Sequence, residues 1–126
     1  MKWIREDIIL AIHEAPLTEH GGRSGIRDVE LLRSALARLL NLRAYEHADI
    51  PTLGAAYAIA IIHNHPFIDG NKRVGLVVLR TFLFANGFEL RATNVEKATI
   101  IRSLAAGSIS DRDFTQWVRE RTLQRG

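Results

Sequence analysis

The chain has 126 residues, 47% hydrophobic and 25% charged, which fits one globular domain over residues 1–126 with room for a real core. It contains no cysteine, so a disulfide framework, a thiol nucleophile and cysteine-bound zinc are excluded. The net charge is +3, carried by fourteen Arg and three Lys, with no basic block of the kind that tracks nucleic acid.

The opening residues lack the apolar stretch of a signal peptide, and the uncharged apolar runs are too short to span a bilayer. These features lead to the expectation of a cytoplasmic protein without membrane contact. In chain order, Ile4, Ile8, Ile9 and Ile12 fall at helical spacing, predicting a first helix that ends before Pro16. Residues 19–27 carry three glycines and read as a loop. Asp28 is placed to cap a second helix with Leu31, Leu32, Ala35, Leu36 and Leu39 on one face. Residues 41–50 lack clear periodicity and read as a loop or short flap, a candidate for docking a protein substrate.

Pro51 suits the first turn of a third helix. That helix is apolar all round over residues 53–62, apart from Gly54 and the Tyr57 hydroxyl, and so belongs at the centre. Asn64, His65 and Pro66 interrupt it, because proline pushes its predecessor out of helical geometry. A fourth helix runs from near Asn71 to Asn86, with Gly87 as its terminal glycine. Residues 88–92 read as extended. Thr93 and Glu96 form a capping box for a fifth helix that ends at Gly107. Ser110 caps a sixth, with Phe114, Trp117 and Val118 inward. Arg119, Arg121 and Arg125 read as a solvated face or tail. The predicted class is all-α, with about six helices.

The run His65-Pro66-Phe67-Ile68-Asp69-Gly70-Asn71-Lys72-Arg73 holds most of the chemistry. It places an imidazole, a carboxylate, an amide and two cations between two apolar segments, where charge is costly unless it has partners. The loop opens into a helix N-terminus, whose first N–H groups are unpaired and whose dipole end is positive. Such an end is an anion site. Gly70 permits close backbone approach. Asn71 is placed to orient a phosphate oxygen or to cap the helix, while Lys72 and Arg73 add a point charge and a bidentate fork. Asp69, the one carboxylate in the loop, is the natural Mg²⁺ ligand beside phosphate oxygens. His65 is the loop's one imidazole, the side chain most often used as a general base. Phe67 reads as the anchor that pins the loop to the core. The bland readings are a turn histidine, an aspartate cap and a solvated cationic face. His63 and His65 are two apart on a helix end, where rings diverge, so His63 reads as structural. His13, His20 and His47 have no partner readable from sequence. No nucleotide loop of the Walker or Rossmann type is present.

These nine residues resemble the signature of the Fic/Doc family in its "death on curing" branch, H-x-F-x-[D/N]-[A/G]-N-K-R. Seven specified positions match: His65, Phe67, Asp69, Gly70, Asn71, Lys72 and Arg73. Residues 20–28 and 31–37 also resemble the upstream segments of that branch. The resemblance implies a compact Fic-type (Fido) helical domain with the motif loop between two central helices. It implies His65 as the catalytic base toward a protein hydroxyl, Asp69 as metal ligand, and Gly70, Asn71, Lys72 and Arg73 on the phosphates of ATP with Mg²⁺. The AMP-transferring branch resembles H-P-F-x-[D/E]-G-N-G-R-x-x-R, and here Lys72 and Leu76 replace its second glycine and second arginine. Phosphoryl transfer to a threonine of elongation factor Tu, halting translation, is therefore the favoured implication. Pro66 and Gly70 echo the AMP-transferring pattern and keep AMP transfer as the alternative. A catalytically inactive corepressor that only binds an antitoxin is a further alternative. No Glu has Ser or Thr four residues earlier, so the inhibitory [S/T]-x-x-x-E motif of many Fic-like proteins is not found in these residues. Restraint is then expected in trans, from a Phd-like antitoxin through which any DNA contact would also be made.

Overall fold

The computed structural model describes residues 1–20 and 25–125. Its order is α1 (Glu6–His20), α2 (Val29–Glu46), α3 (Ile50–Asn64), α4 (Asn71–Ala85), β1 (Phe88–Leu90), α5 (Asn94–Ala106), α6 (Asp111–Arg121) and β2 (Thr122–Gln124). The six expected helices are present. The extended segment after Gly87 gains a partner that the sequence did not reveal: β1 pairs antiparallel with β2, Glu89 opposite Leu123. Among the described residues no helix is long and apolar enough to cross a membrane.

α3 and α4 form the central pair because α3 is apolar on nearly every side and α4 leaves only a stripe with Lys72, Arg80 and Phe84 outside. They approach closely where Gly54 and Gly75 remove side chains. A Cβ on Gly54 would lie 2.9 Å from Leu79, and one on Gly75 would lie 2.9 Å from Ile62. The core divides around this pair. On one side α1 and α2 bring Ile9, Leu32 and Leu39 to Leu53, Tyr57, Phe67 and Phe82. On the other, α5 and α6 bring Ile101, Leu104, Phe114 and Val118 to Ile62, Leu79 and Leu83. The buried Tyr57 hydroxyl accepts from Ile4 N–H at 2.9 Å and donates to Ile4 C=O at 3.2 Å, which fixes the N-terminal segment and leaves neither group unpaired.

Three expectations need correction. First, α1 does not stop before Pro16 but continues to His20. Proline removes the bond to the carbonyl four residues earlier, a cost of about 3 kcal/mol in an isolated helix. Here that carbonyl, Ile12 C=O, accepts instead from Arg73 Nη1 at 3.2 Å. Second, residues 41–50 are not a loop. α2 runs to Glu46, with Leu42 still facing the core, and ends at His47 in the left-handed region (φ 55°). Only residues 47–49 connect it to α3, whose cap is Asp49. One inward leucine in the last turns was too little periodicity to read. Third, the C-terminal arginines include the solvated positions expected, Arg119 and Arg125, but each of the three has a partner. Arg119 pairs with Asp49 and with Thr52 Oγ1, Arg121 lies over the Trp117 ring, and Arg125 lies 3.8 Å from the Phe84 ring centroid while donating to Phe84 C=O at 2.7 Å. In the expected loop over residues 19–27, residues 21–24 lie outside the described residues, Glu19 and His20 close α1, and residues 25–27 lie against the motif.

Candidate functional site

The motif is a short exposed loop held by buried contacts. α3 ends at His65, which takes a left-handed conformation (φ 50°, ψ 56°) and donates its N–H to Ile61 C=O at 3.2 Å. This turn sets the His65 side chain at the surface while Pro66 and Phe67 enter the core. The free carbonyls at the end of α3 are met by a cation. Arg27 donates to His65 C=O and to Asn64 C=O, each at 2.7 Å. Backbone adds to this clamp, because Pro66 C=O accepts from Arg27 N–H at 2.7 Å and from Asp28 N–H at 3.0 Å, and Ile26 bridges Phe67.

Asn71, buried at the first turn of α4, closes the loop. Its Nδ2 donates to Phe67 C=O at 2.9 Å and its Oδ1 accepts from Phe67 N–H at 3.1 Å. The side-chain amide thus binds the backbone of the loop rather than capping the helix. Phe67 is buried and stacks on His13, with ring centroids 4.0 Å apart and planes within 7°. The His13 imidazole donates from Nε2 to Asp69 C=O at 2.9 Å. Asp69 is exposed, and its Oδ1 accepts from Gly70 N–H at 2.8 Å.

The start of α4 differs from those of α2, α3, α5 and α6. Asp28, Asp49, Thr93 and Ser110 cap α2, α3, α5 and α6 with side-chain oxygens. α4 begins after Gly70, left-handed at φ 84°, with no side-chain cap. Its ladder starts with Val74 N–H on Gly70 C=O at 2.9 Å. The N–H groups of Asn71, Lys72 and Arg73 therefore point out of the helix end beside the Asp69 carboxylate. A Cβ at Gly70 would lie 2.9 Å from Arg73 Nη2, so glycine meets both the backbone angle and the guanidinium packed beneath it. Lys72 is exposed. Arg73 is half-buried and donates to the Ile12 and His13 carbonyls, each at 3.2 Å. Leu76, one turn on, packs into the core on the α5–α6 side.

This geometry suits an anion with a hard cation. Open N–H groups and the positive dipole end face the anion. The Asp69 carboxylate lies beside that end, and a hard cation such as Mg²⁺ needs only one or two carboxylates besides phosphate and water oxygens. Among the described residues no three His, Asp or Glu side chains gather, so an all-protein metal cage is not what the loop offers. His63 stands apart from this set: it pairs with Asp111 at 2.8 Å across α3 and α6. It also borders a groove of about 760 Å³ between α2, α3 and α6, floored by Leu39, Leu42, Ala56 and Ile59, which touches the motif only at its Asn64 end.

Residues 3–83, which include the whole loop together with His13 and Arg27, match the Fic/DOC family. The chain belongs to the Fic/DOC family. Among its relatives is the protein named protein kinase doc of Escherichia phage P1, 31% identical over 111 residues covering 87% of each chain. Another is the protein named toxin Doc of Mycolicibacterium smegmatis, 34% identical over 113 residues covering 86% of this chain and 83% of that one.

Sequence reasoning missed two residues of this Fic/DOC loop. Arg27 lay inside the upstream segment that resembled the family, but its target carbonyls are 37 and 38 residues away. His13 follows Ile9 by four residues, so it shares the buried stripe of α1. A histidine in such a stripe needs a polar partner, and that need was the available signal.

Proposed function

We propose that this Fic/DOC protein is the toxin of a toxin–antitoxin pair. In this reading it transfers the γ-phosphate of ATP to a threonine hydroxyl of a protein, with elongation factor Tu as the substrate. The observation that carries the reading is the uncapped N-terminus of α4, open beside the Asp69 carboxylate and one short turn from the exposed His65. The names and the coverage of the two Doc relatives support the choice within the family.

The residues have separate tasks. His65 takes the proton of the acceptor hydroxyl as its oxygen bonds to the γ-phosphorus and ADP leaves with the bridging oxygen. Asp69 holds Mg²⁺, which neutralises charge on the phosphates when bound. The N–H groups of Asn71, Lys72 and Arg73 bind phosphate oxygens, and the Lys72 ammonium adds charge to them. Asn71 serves this task mainly by shaping the loop, and Arg73 by lining its base. Lys72 stands where the AMP-transferring pattern has a glycine, and Leu76 where that pattern has an arginine. These two replacements favour phosphoryl over AMP transfer. A Phd-like antitoxin restrains the activity in trans and supplies the contacts to DNA.

The test is to incubate the purified chain with elongation factor Tu, Mg²⁺ and ATP and to read the intact mass of the substrate. A phosphate-sized gain is expected. An AMP-sized gain would move the chain to the other branch, and no gain would remove this substrate. His65→Ala should slow transfer by about 10²- to 10⁴-fold.

A further inference from the structure

We propose that His13, on α1, is a positioning residue that orients the Asp69 carboxylate toward the metal; this rests on the reading of the motif loop given above. One peptide group links His13 to this carboxylate. The plane joining Asp69 to Gly70 has its C=O on one side and its N–H on the other. His13 Nε2 holds that C=O at 2.9 Å from inside the protein. The N–H must then face outward, where Asp69 Oδ1 accepts it at 2.8 Å. Pinning the carbonyl thus aims the side chain as well: Oδ1 is held against the backbone and Oδ2 is left to the ligand.

Something must prevent this plane from flipping, because Gly70 offers little steric resistance to rotation. The neighbouring contacts do not do so. Asn71 bonds the backbone of Phe67, and Arg73 packs against Gly70 but bonds α1, so neither hydrogen-bonds the plane between residues 69 and 70. His13 alone grips it among these three. The imidazole is itself held, with 1% of its surface exposed and its ring stacked on Phe67. It occupies the place of an outer-shell group that fixes a metal ligand without touching the metal.

Two variants separate the hydrogen bond from the packing. His13→Phe keeps a flat ring on Phe67 and loses the donor. His13→Gln loses the ring and keeps an N–H at the same number of bonds from Cα. Two readouts apply to the full chain: the Gly70 amide resonance in the ligand-free protein, and the Mg²⁺ concentration that half-saturates ATP binding. In His13→Phe the Gly70 amide should shift or broaden and half-saturation should need about 10-fold more Mg²⁺. His13→Gln should keep the native amide position and stay within about 3-fold of wild type in Mg²⁺ dependence. A folded His13→Phe with native Gly70 amide and native Mg²⁺ dependence overturns the proposal. If His13→Phe does not fold, His13→Gln decides: native readouts support the proposal, and a displaced Gly70 amide overturns it. Failure of both variants to fold also overturns it, since His13 would then be a packing residue. If the wild-type chain binds no Mg²⁺–ATP, the functional reading fails, while the Gly70 amide still decides what His13 does.

Discussion

The two ends of α4 are built on opposite plans. At the C-terminal end Asn86 accepts from Lys2 N–H at 2.7 Å and donates to the Lys2 and Phe82 carbonyls. Arg125 covers the Phe84 ring and carbonyl, and β1 with β2 closes the corner. At the N-terminal end, no side chain among the described residues caps the first N–H groups, although four other helices show that this chain caps readily. The loop around that open end is nonetheless rigidly tied, by Arg27, Asn71 and His13. One end therefore spends its polar groups on stability. The other holds its backbone fixed and leaves its polar groups unspent, which is the form that a preorganised binding site takes.

This contrast can be tested by substitutions whose effects should differ between the ends. Phe82, fully buried and packed on Trp3 and Tyr57 near the closed end, should be costly to remove. Phe82→Ala is expected to lose about 3–5 kcal/mol in denaturant unfolding. A loss below about 1 kcal/mol would mean that this end is not the stabilising one.

Gly70→Asn puts a polar side chain at the mouth of α4, in a residue that tolerates the left-handed angles found there. The new Cβ meets the end of the flexible Arg73 side chain at 2.9 Å and the His13 ring at an ordinary 3.7 Å. Stability should therefore change by no more than about 1–2 kcal/mol. Transfer activity should fall at least about 10-fold, because the added side chain crowds the close approach of phosphate to the open helix end. Unchanged activity in a folded Gly70→Asn would show that the open end is not used.

The smallest effect belongs to Asp49, a helix cap remote from the loop. Partial burial alone would raise its carboxyl, but the bonds from Thr52 and the Arg119 guanidinium outweigh this and hold it below the ordinary aspartate value. A carboxyl lowered by folding stabilises above its unfolded value of about 3.9, and that stabilisation is lost as pH falls through the lower folded value. Asp49→Asn should flatten the acid limb of the stability curve, and should change stability at neutral pH by less than about 1 kcal/mol, since the pair is half-exposed. An acid limb identical to wild type would show that Asp49 carries none of it.

Much of this was legible in the chain itself. Local signals act over a few residues, so the Thr93–Glu96 capping box, the Ser110 cap and the Gly107 stop appear where the sequence puts them. The motif loop falls between two apolar helices for the same reason. Signals that failed were those that a distant partner overrides. Pro16 reads as a helix end, yet Arg73, 57 positions later, meets the carbonyl that proline leaves free. The end of α2 shows one inward leucine, and only the core that receives Leu42 makes it helical.

The sequence by itself determined the helical class, the central pair α3 and α4, and the set of chemical groups offered by residues 65–73. Those follow from periodicity, capping and residue type, which are properties of neighbours in the chain. Tertiary structure alone decided how that set is aimed. Arg27 reaches the end of α3, and His13 reaches the plane behind Asp69, across 38 and 56 residues respectively. Contacts of that span exist only once the helices have packed, and no local pattern encodes which carbonyl a buried side chain will meet.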